Sequence, residues 1–203
     1  MDSKPIVTLP NDLIERSKEF ARETVAAYRR GDNSYSFDVS SHGAEFNAEL
    51  QAHARMAECA FCLWAGLDAN VALNWTSRCD PGWDVYYAGR RVDIKATHAR
   101  GRYLIWPINK RVELFQKKTF DDLVLVRGDE PTFVIAGISS KQEFENAFQI
   151  AGRDHVLDAG TWYVHESDLR DVPERTPEQR LLDGLMIASM SECHLAEWSR
   201  RKR

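Results

Sequence analysis

The stretch DVYYAGRRVDIKATHARG, residues 84–101, sets two aspartates and a lysine where they could act together. Side chains of an extended segment alternate between faces, so Val92, Ile94 and Ala96 point one way and Arg91, Asp93, Lys95 and Thr97 the other. Asp84 to Tyr87 is a second β-prone run, and Ala88-Gly89 is the only turn chemistry between the two. A two-residue loop there pairs Tyr87 with Arg90, Tyr86 with Arg91, Val85 with Val92, and Asp84 with Asp93. A four-residue loop keeps that register and a three-residue loop breaks it. Directly opposed residues hold their Cβ atoms roughly 4.5–5.5 Å apart, where like charges destabilise the pair. The repulsion is offset either by Lys95, on the same face one pleat along, or by a divalent cation held between both carboxylates.

A third acid comes from a helix expected from about Gly43 to Leu67. At 100° per residue, Phe46, Leu50, Ala54, Ala57, Phe61 and Trp64 fall on one stripe. Glu58 projects about 70° from the centre of that stripe, whereas Glu45 and Glu49 project to the far side. An acid at the margin of a buried face is placed to lean toward a sheet edge.

Before that helix, residues 11–30 read as a helix with Ile14, Ala21, Val25 and Tyr28 on one stripe, followed by a turn-rich connection over 31–43. After it come an expected strand at 71–76, the hairpin, a strand at 103–106 and a short helix or loop at 109–117. Strands at 122–126 and 132–138, a helix at 141–151, a strand-like run at 161–169 and an amphipathic helix from Pro177 to about Ser199 complete the chain. That order predicts an α/β layer fold with a mixed sheet. The organisation expected is an N-terminal helix and connection at 1–42, an α/β core at 43–170 and a C-terminal helix with a basic tail at 171–203, in one domain overall.

The chain has 203 residues and a net charge of −4, which taken alone argues against a polyanionic partner. Its distribution argues the other way. Residues 90–118 hold nine basic side chains against two acidic ones, a local +7, while the rest of the chain carries −11. A basic stretch centred on the paired aspartates is an electrostatic footprint for a polyanion. No run is long enough to span a bilayer, and the first twenty residues lack the apolar block of a secretory signal, so a cytoplasmic protein is expected. Four cysteines in a chain this long fit a reducing compartment.

Glu58 on a helix, Asp84 on one strand and Asp93-Ile94-Lys95 on the next resemble the PD-(D/E)XK nuclease superfamily, over roughly residues 43–126. The family core runs helix, three strands, helix, strand. The resemblance implies a restriction-endonuclease-like core, with a mixed central sheet flanked by helices and added N- and C-terminal helices. It makes Asp84 and Asp93 the motif acids, Lys95 the motif lysine and Glu58 the helix acid, all catalytic. Pro81 stands three residues before Asp84 instead of beside it. Mg²⁺, with Mn²⁺ as a substitute, would be held by Asp84, Asp93, Glu58 and the Ile94 carbonyl. The implied activity is endonucleolytic hydrolysis of DNA, with RNA and a homodimer as open alternatives. Arg90, Arg91, Arg100, Arg102, Lys110 and Arg111 are the candidate phosphate contacts, and Tyr103 and Trp106 could stack on unpaired bases. The rival reading is a non-catalytic nucleic-acid-binding or assembly module on the same fold, with Asp84 and Asp93 balanced by Lys95 and Arg91.

Other chemistries find little support. Cys59 and Cys62 form a CxxC, but inside a continuous helix and without a second pair to complete four ligands. The six histidines show no His-x-x-x-His spacing, and His98 reads as a strand-end surface residue. There is neither a Gly-rich phosphate loop nor a nucleophile elbow.

Overall fold

A computed structural model describes residues 4–29, 48–73, 83–106, 115–116, 118–153, 155–157 and 159–183. Strand β1 (Ile6–Thr8) leads into helix α1 (Asn11–Arg29), whose first turn begins on the Pro10 carbonyl. Leu13, Ile14, Ser17, Ala21, Thr24 and Val25 recur at helical spacing along its buried side. Helix α2 (Ala48–Ala65) packs against α1, and Gly66, at φ +64°, ends it. The turn that follows, Ala69–Leu73, is 3-10 helical where a strand was expected from Val71. Asp68 causes this locally, its carboxylate accepting the Asn70 amide at 2.9 Å, while Ala69, Ala72 and Leu73 bury against the helices. Residues 74–76 of that expected strand lie outside the described residues.

Strands β2 (Val85–Tyr87) and β3 (Arg90–Thr97) form the hairpin in the expected register: Val85 opposite Val92, Tyr86 opposite Arg91, Tyr87 opposite Arg90. Its two-residue loop has φ +53° at Ala88 and +79° at Gly89, the left-handed pair that matches strand twist. Strand β4 (Tyr103–Trp106) follows, then β5 (Asp122–Asp129), β6 (Thr132–Ser140) and helix α3 (Lys141–Ala147), opened by a Ser140/Glu143 capping box. The described residues end with β7 (Gln149–Ile150), β8 (Trp162–His165) and a helical stretch at 177–183; the rest of the helix expected to about Ser199 lies outside them.

The main sheet is mixed, in the order β1-β6-β5-β3-β2, with β3 and β5 parallel. Leu123 to Val126 are fully buried, as a central strand covered on both faces requires. Val92, Ile94, Val124 and Val126 pack with α1 and α2 on one face, and Leu123, Leu125 and Ala136 pack with α3 and β4 on the other.

Two expectations are corrected. Strand β4 does not join the main sheet; it pairs along its whole length with β8 in a separate three-stranded sheet, β4-β8-β7. In the described part of residues 1–42, β1 extends the main sheet beside β6, and Leu9, Leu13, Ile14 and Ala21 belong to the same core as α2. The helix expected over 141–151 stops at Ala147, and its last residues form β7. No described helix is long and apolar enough to cross a membrane.

Candidate acid–lysine site

Strand β2 begins at Val85, so among the described residues no strand pairs with the outer edge of β3 from Asp93 onward. The side chains singled out in the sequence gather beside this edge. Asp84, one residue before β2, turns its Oδ2 to accept the Ile94 amide at 2.6 Å, while its own amide donates to Val92 O at 2.8 Å. The N–H and C=O of one strand residue share an edge, so the Ile94 carbonyl lies on the Asp84 side. Asp93, 6% exposed, forms an ion pair with Lys95, whose Nζ also sits 4.7 Å from the centroid of the Trp106 ring. Asp93 and Lys95 pair with Leu123 and Leu125 of β5 and so share the β4 face of the sheet.

Glu58 arrives from α2. The expected margin position is wrong in degree: Glu58 is 4% exposed, because from Met56 to Cys62 the helix is buried all round, while Leu50 of the expected stripe is 57% exposed. Phe46 lies outside the described residues. Arg55, one turn earlier, holds the Glu58 carboxylate in an ion pair. Burial nevertheless pushes Glu58 above the ordinary carboxylate range, with Asp93 adding to the rise and Arg55 opposing it. Asp84 is pushed well above its usual range, first by burial and then by the charges of Glu58 and Asp93. Burial lowers the Lys95 ammonium, but Asp93 and Asp84 outweigh it and the net shift is upward. Asp84 and Lys95 each feel Glu58 and Asp93, and Glu58 feels Asp93 and Lys95, so these side chains form one electrostatic centre.

That centre is looser than the metal cluster expected from the sequence. Glu58, Asp84 and Asp93 do not bring one oxygen each within 4.8 Å of one another; among the described residues only His53, His98 and Asp129 form a group that tight. The reason is local: Arg55 draws Glu58 aside and Lys95 occupies one flank of Asp93. Asp84, Asp93 and the Ile94 carbonyl are oxygen donors of the type a hard cation takes, but Asp93 Oδ2 already meets the Lys95 ammonium, and among the described residues the three carboxylates face two cations, Lys95 and Arg55.

The expected phosphate contacts divide. Arg90 forms a two-pronged pair with Asp122, and Arg91 grips Asp121 through Nε at 2.9 Å and Nη2 at 2.7 Å. Both guanidiniums therefore already meet carboxylates. Arg102 leans on the Ala99 carbonyl and lies 3.7 Å from Glu166. Arg100 is exposed, with no hydrogen bond or ion pair among the described residues. Lys110 and Arg111 lie outside them. Trp106 is core, packed on Phe115 and Phe120, whereas Tyr103 is half-buried among Tyr163, His155 and His165.

Sequence reasoning missed Arg55, although its i,i+3 spacing to Glu58 was a signal. It also missed the clamp on the hairpin. Asp183, fully buried, accepts the Ala88 and Gly89 amides at 2.8 and 3.1 Å and pairs with Arg175, while Tyr87 Oη donates to Pro173 O. This segment fixes the turn that presents Asp84, and no local pattern announces so distant a partner. No protein-family model, no curated protein and no solved structure matches the chain.

Proposed function

We propose that the chain is a Mg²⁺-dependent nuclease that hydrolyses phosphodiester bonds in DNA on a restriction-endonuclease-like core. The observation that carries this reading is the set beside β3, past the end of β2: Asp84 bonded to the Ile94 amide, Asp93 paired with Lys95, and Glu58 raised by burial and by Asp93. The order α2, β2, β3, β4, β5 is compatible with it, although of the short helix or loop expected at 109–117 only residues 115–116 are described, and the departure of β4 from the main sheet is the feature that fits least.

A phosphodiester is an anion and resists an anionic nucleophile. Bound Mg²⁺ supplies charge neutralisation and lowers the pKa of its water. Asp84, Asp93 and the Ile94 carbonyl hold the ion. Lys95, kept protonated by its carboxylate neighbours, places its ammonium beside the nucleophile and offsets charge developing on phosphate. Glu58 stays with Arg55 and adds to the field that holds Lys95 charged. Arg100 and Arg102 supply the positive rim for the backbone, a role independent of base sequence.

Purified protein incubated with supercoiled, linear and branched DNA, with and without Mg²⁺, tests this beside a Lys95→Ala control. Cleavage that needs Mg²⁺ and vanishes in the variant is the expected result; metal-independent or variant-insensitive cleavage refutes it. A non-catalytic nucleic-acid-binding or assembly module is favoured by one observation, that Lys95 and Arg55 already answer two of the three acids. DNA binding without cleavage under any divalent ion selects that reading.

A further inference from the structure

We infer that His53, His98 and Asp129 form a second metal site, for a first-row transition ion such as Zn²⁺, which fastens the turn after β3 onto α2. The inference does not rest on the nuclease reading. Three elements bring these residues together: α2 supplies His53, the residue after β3 supplies His98, and Asp129 ends β5, whose C-terminal end lies beside that of β3 through the parallel Thr97–Arg127 pairing. One ligand atom from each lies within 4.8 Å of the other two. Bonds of about 2.0–2.1 Å put ligand atoms roughly 3–3.5 Å apart around a tetrahedral ion, a small closure for the exposed His98 and Asp129 side chains.

His53 Nε2 lies 2.9 Å from the Gly128 carbonyl, which can only accept, so in the neutral ring Nε2 carries the proton and Nδ1 keeps its lone pair. An N–H given to a carbonyl is the outer support that raises the basicity of a ligating imidazole. His98 Nδ1 lies 2.6 Å from Asp129 Oδ1, and the ion would replace the proton these two atoms share. The rings stack at 4.4 Å, and Phe133 fixes His53 from the side at 5.7 Å. Two imidazole nitrogens and one carboxylate select a borderline ion over Mg²⁺, and three protein ligands leave positions for water.

The structural consequence falls on residues 98–102. Asp129 Oδ2 accepts the Ala99 amide at 3.1 Å, and Arg102 and Arg127 both donate to the Ala99 carbonyl. An ion on His98 and Asp129 would lock this turn, and with it Arg100 and Arg102, against the helix.

Zn²⁺ titration by calorimetry tests the site, in millimolar Mg²⁺ so that the acid–lysine centre does not compete. The full chain is compared with His98→Ala, an exposed position with little risk to folding, and with His53→Gln. Each variant should bind Zn²⁺ at least about tenfold more weakly, lose the Zn²⁺-induced rise in Tm and lose Zn²⁺ protection against tryptic cleavage after Arg100 and Arg102. No Zn²⁺ binding by the parent chain, or equal affinity in His98→Ala, overturns the assignment.

Discussion

Strand β3 divides into two short charged regions that look alike in sequence and behave differently in the fold. At Arg90 and Arg91 each cation meets one carboxylate, Asp122 and Asp121, across the neighbouring parallel strand. Three residues on, at Asp93–Lys95, the count is unequal: Glu58, Asp84 and Asp93 share Lys95 and Arg55. The first region is closed and its charges stitch β3 to β5. The second holds more buried carboxyl groups than cations, an arrangement that costs stability and is enriched at functional sites. The difference teaches that charge density along a strand is a weaker pointer to a site than imbalance after pairing.

The comparison breaks most decisively at Lys95. Lys95→Ala should lower Mg²⁺-dependent cleavage by roughly 10²–10³-fold or to background, the scale on which one transition-state donor acts. Asp93→Asn, which leaves an oxygen for Lys95, should do the same while circular dichroism stays unchanged. Normal turnover by either variant would remove the functional meaning of the imbalance.

The next effect is on stability, and its sign is unusual. An unfolded aspartate titrates near 3.9, and in the fold burial with the Glu58 and Asp93 charges moves Asp84 upward. A raised carboxyl contributes fully below the unfolded value and loses that contribution as pH rises through the folded one. Asp84→Asn keeps an acceptor for the Ile94 amide and removes the charge, so it should melt higher than the parent at pH 7–8. A rise of about 1 kcal/mol appears as ~2–4 °C in a chain of this size. The gap should shrink in acid and also in Mg²⁺, which stabilises only the parent. A lower melting temperature for Asp84→Asn at pH 8 would show that the acids are balanced after all.

Much of this centre was legible because its parts are local. Period-two alternation and a two-residue turn fix which residues oppose each other, and the hairpin register follows from nothing else. Glu58 was visible by helical geometry, but a wheel assumes one buried face, and α2 is covered by α1, the 3-10 turn and the sheet together. Strand β4 showed its extended character and not its partner, since pairing with Trp162–His165 is decided sixty residues away. The charge count over 90–118 left out Asp121 and Asp122, just past its end, which pair with its first two arginines. His53, His98 and Asp129 have no spacing that a linear motif could carry.

Arg90 and Arg91 apart, the described basic residues of this stretch differ in how they are held. Arg100 has no hydrogen bond or ion pair among the described residues, so Arg100→Ala should reduce the slope of log affinity for DNA against log salt by about one and weaken binding equally across sequences. An unchanged slope would take Arg100 off the surface that meets the backbone.

Arg91→Ala is the control at the small end of the scale. It removes an ion pair in which both partners are about a third exposed or more, so solvent screening holds the stability cost to about 1 kcal/mol or less. The carboxylate is held below its ordinary range mainly by hydrogen bonds from the Arg91 side chain, and a lowered carboxyl contributes above the unfolded value and loses that contribution as pH falls through the folded one. The parent and Arg91→Ala should therefore differ by a few degrees in melting temperature at pH 7 and converge below about pH 3–4. Cleavage and the salt slope should not move, because Asp121 already answers this charge. A change in either would mean that Arg91 releases Asp121 to meet a phosphate, and the two regions of β3 would then be one.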